Sequence, residues 1–229
     1  MTQLAATFKY ILSLAISLLL SLPTNAQSDK KIASAVEPDT TAWLNGFAIG
    51  VDLAGLTQCA ISDYGQIEAQ LRVNLRDRYF PVLEAGLGKA NHDDEVTLIS
   101  YSSSAPYFRI GADYNLMKDK HDDYRIYGGV RYGFSYFKFD FSHPAIPDPV
   151  WGGEAEFCGK GVSSHYHWAE LSGGVDAKIW GPIHLGWSVR YRKRIAYDNG
   201  DNGNVWYVPG YGKSGSTRIG YTFMISLDI

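Results

Sequence analysis

The stretch TRIGYTFMISLDI, residues 217–229, decides how the rest of the chain is read. Thr217, Ile219, Tyr221, Phe223, Ile225, Leu227 and Ile229 fall on one face, and Arg218, Gly220, Thr222, Met224, Ser226 and Asp228 on the other. Strict period-two alternation is a strand. A strand of this length must be paired along its edges or offer an open template to other chains. The expectation is a sheet that closes on this strand.

Working outward, the same alternation recurs. It predicts strands over Gly46–Leu56, Tyr64–Leu75, Phe80–Lys89, Pro106–Leu116, Tyr124–Asp140, His167–Ile179 and Ile183–Arg194. With the last strand this makes eight. The connections alternate in length. Short ones are Arg76–Arg78, the charged turn Lys118–Asp123 and the tight Gly181-Pro182 turn. Longer ones are a loop carrying Cys59, a polar loop over 90–105, the longest loop over 141–163, and an Asn/Gly/Asp-rich loop after Arg194. Short turns at one end and long loops at the other are the layout of outer-membrane barrels. The predicted fold class is all-β: an eight-stranded antiparallel transmembrane (outer-membrane) β-barrel with up-and-down topology.

The two faces differ sharply. One is apolar and carries no charge over any strand centre. The other holds seven acids, Asp52, Glu68, Glu84, Asp113, Glu170, Asp176 and Asp228, against eight bases, Arg72, Arg109, Arg125, Arg131, Lys178, Arg190, Arg192 and Arg218. Glycines lie between them, as at Gly86, Gly111, Gly133 and Gly220, where they leave room for long side chains. Balanced opposite charges suit a closed interior, because a buried charge must be paired. Ion pairs in the lumen are therefore expected among Glu68, Arg72, Glu84, Arg109, Asp113, Arg131, Glu170, Arg190, Arg192 and Arg218. Eight strands enclose a space just wide enough for side chains, so a general diffusion pore is not expected. A soluble lipocalin-like carrier would show the same period with the faces exchanged.

Composition and targeting signals agree. Of 229 residues 14% are aromatic, with 16 Tyr and 24 Gly, a mix that suits barrels with interfacial aromatics. Twenty-one Lys and Arg against 24 Asp and Glu give a net charge of −3 with no basic run, which argues against a nucleic-acid partner. Residues 1–26 read as a signal peptide: Lys9, an apolar run Ile11–Leu20, and a cleavage site at Thr24-Asn25-Ala26. Residues 27–44 read as a flexible periplasmic segment and 45–229 as the barrel. The expected location is the outer membrane of a Gram-negative bacterium.

The segments GGVRYGFSYF (128–137), WAELSGGVDAKIWGPIHLGWSVRYRKRI (168–195) and VWYVPGYGKSGSTRIGYTFMISL (205–227) resemble an uncharacterised outer-membrane barrel family of the Bacteroidota, a domain of unknown function. Val51-Asp52-Leu53 and ADYNLM (112–117) also fit it. The resemblance rests on strand patterns and the Tyr-Val-Pro-Gly loop. It implies a small outer-membrane barrel and carries no activity to any residue.

Three sets of side chains are candidates for chemistry or recognition. Ser163, His165, His167 and Glu170 are residue types that serve in outer-leaflet lipid hydrolases, and the two histidines share a strand face where they suit a metal. The competing reading is a polar strand end, and neither metal nor cofactor is expected. Trp151, Trp206, Tyr207 and Tyr211 fall in outer loops, where aromatics bind a glycan or protein or else pack the loops and the interfacial belt. Cys59 and Cys158 form a disulfide candidate in an exported chain, provided the long third loop folds over the barrel mouth. The expected partners are outer-membrane lipid and an extracellular glycan or protein.

Overall fold

The computed structural model describes residues 42–147, 152, 154–200 and 205–229. The expected signal peptide and most of the 27–44 segment lie outside the described residues. The elements are β1 (Phe47–Asp52), α1 (Leu53–Ile61), β2 (Tyr64–Val73), β3 (Tyr79–Asp93), β4 (Ser100–Asn115), β5 (Tyr124–Pro147), β6 (Glu154–Trp180), β7 (Ile183–Asp198), β8 (Tyr207–Val208), β9 (Gly212–Lys213) and β10 (Thr217–Asp228). Eight of them form a closed antiparallel barrel in the order β1-β10-β7-β6-β5-β4-β3-β2, while β8 and β9 make a separate small hairpin. The ring shuts where Phe47 and Ile229 exchange both backbone hydrogen bonds, at 3.1 and 2.7 Å. Closure leaves the terminal strand no open edge there.

The tight turn from β2 to β3 is held by side-chain chemistry. Arg76 and Asp77 both take positive φ, 56° and 54°. Asn74 fixes them by accepting from the Asp77 N–H at 2.9 Å and donating to its carboxylate at 2.6 Å.

The apolar face is outside. Ile110 and Leu171 are 58% and 60% exposed, whereas Glu68 and Arg109 are fully buried in the lumen. Such an exterior is solvated by hydrocarbon and not by water. It is the reverse of a soluble carrier with an apolar lumen. Aromatic side chains ring the belt at both ends: Tyr79, Tyr114, Tyr124 and Trp180 near the turns, and Tyr132, Tyr136, Tyr191 and Tyr221 toward the loops.

The strands run well past the belt, and there the faces exchange. Down β5 the outward positions are Ile126, Val130, Tyr132 and Tyr136, then Lys138, Asp140 and Ser142. Its inward positions go from Arg125 and Arg131 to Phe137, Phe139 and Phe141, all buried. β4 does the same, with Ser104, Ser102 and Ser100 outward beyond Phe108 while Ala105, Ser103 and Tyr101 point in. A spanning strand needs about 10 residues, so β5 and β6 carry roughly a dozen more, ~30 Å of tilted hairpin beyond the lipid.

This corrects two sequence expectations. The polar loop at 90–105 and the long loop at 141–163 are mostly strand. The period-two pattern continues through them, but polarity changes face, so they read as loops when a single apolar face is followed. A third correction concerns the first strand, which ends at Asp52 rather than Leu56. The Asp52 carboxylate accepts the N–H groups of Ala54 and Gly55 at 3.1 and 3.2 Å and caps α1. Satisfying these otherwise orphaned donors favours a helix where a loop around Cys59 was expected.

Candidate functional site

The lumen holds one continuous charge network at the level of the belt. Glu84, from β3, accepts from Arg131 Nε at 2.9 Å, from both terminal nitrogens of Arg190 at 2.7 and 3.0 Å, and from Gln70 at 2.9 Å. Arg109, from β4, bridges Glu68, Glu84 at 3.1 Å and Glu170 at 3.0 Å. Arg131 also pairs with Asp113 at 3.0 Å and donates to Ser172. Arg192 pairs with Glu170 at 3.2 Å, and Trp168 Nε1 donates to the same carboxylate at 2.6 Å. Among the described residues, four carboxylates thus meet four guanidiniums in this layer, all buried. The equality matters because an unpaired ion in this space would keep most of its desolvation penalty.

A second layer lies toward the turn end. Arg72 and Arg125 both reach Asp176, at 2.7 and 2.8 Å, and His184 lies 3.0 Å from Asp228. These groups line an open vestibule of ≈ 350 Å³ together with Asp77, Lys120 and His121. Asp176 and Arg125 are on the charged face read from the sequence yet stand outside the expected ion pairs, and His184, of the same inward parity, stands outside both sets. Arg218 requires the opposite correction. It donates to the carbonyls of Lys213 at 2.7 Å and Ser214 at 2.6 Å instead of joining the lumenal ion pairs. With its guanidinium committed to these carbonyls it ties the last loop together.

That last loop closes the other end. Residues 205–213, including β8 and β9, fold back into the mouth, and Val205, Tyr207, Val208 and Tyr211 are buried there among Tyr101, Tyr107, Phe137, Phe139, Tyr166 and Trp168. The plug is latched to the charge network through its carbonyls. Arg109 donates to Gly210 O at 2.6 Å and Arg192 to Tyr211 O at 2.9 Å. Further bonds run from Tyr101 to Tyr207 O at 2.8 Å and from Tyr207 to Gly65 O at 3.1 Å. Gly210 has φ +79°, and a Cβ there would run into the Tyr107 ring. A Cβ on Gly88 would lie 2.7 Å from Pro209 Cα. Burial holds the Tyr207 phenol above its ordinary pKa, so it stays a neutral donor.

The aromatic loop residues accordingly do not form a single exposed surface. Tyr207 and Tyr211 are plug core, a correction to the binding-surface expectation, because the loop folds inward where the lumen polarity turns apolar. Trp206 is half-buried and stacks on His92 with centroids 4.2 Å apart, with the Lys213 ammonium 5.0 Å from its ring. Trp151 lies outside the described residues.

The hydrolase candidates are split by the barrel wall. Ser163, His165 and His167 face outward, while Glu170 is buried in the lumen on Arg109 and Arg192. The odd and even positions of one strand cannot converge on a common reacting atom. His167 instead bonds the Tyr132 and Tyr136 hydroxyls at 2.7 and 3.3 Å. Among the described residues no three His, Cys, Asp or Glu side chains come together as a metal site.

Cys59 and Cys158 are both exposed free thiols, which corrects the disulfide expectation. Cys59 sits in α1, beside β1 and β2, whereas Cys158 stands in the β5–β6 hairpin opposite Ser142. In the ring order β6 lies three strands from β1, so the two thiols belong to separate parts of the rim. The hairpin extends outward as strand instead of folding over the mouth.

An up-and-down ring of eight strands with lipid-facing apolar side chains and a charged, plugged lumen is a β-barrel of the outer-membrane type. The chain belongs to the family of a domain of unknown function, DUF6048, whose model matches residues 7–229. No curated protein matches its sequence. Among solved structures it is similar to Neisserial surface protein A, at 11% identity over 81% of this chain and 99% of that one, with a TM-score of 0.45. A major outer membrane protein from Thermus thermophilus is similar at 12% identity, over 80% and 98% of the two chains, with a TM-score of 0.45. Acinetobacter baumannii CarO2 is similar at 10% identity, over 81% and 98%, with a TM-score of 0.39. At such identities and scores the likeness assigns no activity to this chain.

Proposed function

We propose that the protein is a sealed barrel in the outer membrane of a Gram-negative cell, of the Bacteroidota by the sequence resemblance, exported on a cleaved signal over residues 1–26. Its working part is the structure beyond the belt, in a structural or binding role. The observation that carries this reading is the double closure of the lumen. The charge network fills it at belt level, and residues 205–213 fill its mouth while being latched to that network. A barrel built to pass solutes keeps its interior open, which takes far more than eight strands. The energy of this interior goes into holding the outer hairpins on a rigid base. Those hairpins have their own aromatic core, so they offer a preorganised surface to an extracellular glycan or protein, while the belt takes outer-membrane lipid.

The test is conductance across a planar lipid bilayer. Insertion of the folded protein is expected to leave the current at the level of lipid alone. Stepwise, long-lived openings would overturn the sealed-barrel reading.

A further inference from the structure

The barrel wall has a gap toward its loop end. β1 leaves the sheet at Asp52, opposite Met224, whereas β10 continues from Phe223 to Thr217 paired only with β7. Because Phe47 and Ile229 are a hydrogen-bonded pair, the odd-numbered residues of β10 aim their backbone groups toward the β1 side. The Phe223 N–H finds Asp52 Oδ1 at 3.1 Å. Beyond it, Ile219 and Tyr221 face α1, a helix whose own backbone bonds are internal and which continues no ladder.

A cavity of ≈ 320 Å³ occupies this gap, between α1, the plug and β10. Arg218 and Gly220 line it from the lumen face of β10, and Ile219 and Tyr221 from the lipid face. Past Asp52 no strand among the described residues covers this edge of β10, so the wall beside the cavity is closed by α1 alone, and the cavity lies against the barrel's side as well as its mouth. Ile219 and Tyr221 are 76% and 72% exposed at that side.

The lining is cationic. Arg192, buried, reaches the cavity together with Lys213 and Arg218. Among the described residues that line it, Asp52 is the one carboxylate, and its oxygens already accept three N–H groups, from Ala54, Gly55 and Phe223. Arg192 already pairs with Glu170, whereas among the described residues Arg218 donates only to backbone carbonyls; an anion there gains charge-assisted hydrogen bonds from Lys213 and Arg218 together with strand-edge donors, which a neutral sugar does not match.

We infer that this lateral window binds the phosphate head of an amphiphile that enters from the outer leaflet, with its chain lying over Ile219 and Tyr221. The inference rests on the outer-membrane reading above. The phosphate chemistry is shared by a lipid head and free phosphate, and the open side favours the lipid.

The test is native mass spectrometry of the protein folded in maltoside micelles, titrated with hexadecyl phosphate, hexadecanol or inorganic phosphate. One equivalent of hexadecyl phosphate is expected to bind saturably, and hexadecanol is not. The double variant K213Q/R218Q should bind at least about tenfold more weakly through loss of charge-assisted bonds. Ala54→Phe, which fills the window from α1 without touching a charge, should do the same. Equal binding of inorganic phosphate would overturn the lipid assignment. Undiminished hexadecyl phosphate binding in both variants would overturn the site. Boiled and unboiled samples are compared by gel throughout. Absence of a heat-dependent shift in the parent protein would undo the barrel reading, while a shifted parent with no saturable binding would undo only the window.

Discussion

The two ends of β4 make the same backbone shape for two different surroundings. Between Phe108 and Tyr114 the outward side chains are Phe108, Ile110, Ala112 and Tyr114, and the inward ones include Arg109 and Asp113. Between Ser100 and Ala105 the outward side chains are Ser100, Ser102 and Ser104, and the inward ones are Tyr101, Ser103 and Ala105. The strand does not change its period at the boundary; its surroundings change from lipid to water. In lipid the interior has to satisfy polar groups with one another, and in water it buries apolar surface in the ordinary way. The lumen is therefore stabilised by juxtaposed opposite charges and the outer extension by packing.

The sharpest way to break this contrast is Glu84→Gln. It removes the carboxylate shared by Arg109, Arg131 and Arg190 while preserving shape. Leaving buried guanidiniums uncompensated is expected to cost about 3–5 kcal/mol, read from urea unfolding in lipid vesicles. A loss under about 1 kcal/mol would mean that water screens the network. Next comes the exterior. Leu171→Arg, at the belt, should cost about 2–4 kcal/mol in the same assay. Ser102→Arg, outward on the extension, should stay within about 0.5 kcal/mol. Equal effects at the two positions would show that the lipid boundary is misplaced. A smaller loss than at Glu84 or Leu171 is expected in the plug. Tyr101→Phe deletes the bond to Tyr207 O and leaves that carbonyl short of a donor, costing about 1–2 kcal/mol. It should speed amide exchange in residues 205–211 without altering exchange in the belt strands. Uniform acceleration would mean that plug and belt open as one unit.

Much of the architecture was legible because period two is a local property. The alternation around Ile67–Val73 or Ile183–Tyr191 needs no knowledge of neighbours, and charged residues confined to one parity already imply a closed interior. The same rule was the source of the errors. Following one apolar face ends β5 near Asp140, because Phe139 and Phe141 continue the inward parity that carries Arg125 and Arg131 lower down. Asp52 looked like one more lumen acid, yet its role as a helix cap depends on where Ala54 and Gly55 turn. Ser163, His165, His167 and Glu170 were close in sequence, but parity puts Glu170 across the wall, a fact available from the sequence and missed by reading proximity instead.

Side-chain alternation and connection length suffice for the eight barrel strands, their antiparallel order and the parity that meets lipid, because each is a local property of the chain. Tertiary structure alone decided that residues 205–213 turn inward, that Arg109 and Arg192 latch them, and that α1 replaces a strand beside β10. Those features come from contacts between residues 19 to 171 positions apart, whose meeting depends on how the ring closes. No local periodicity encodes that closure.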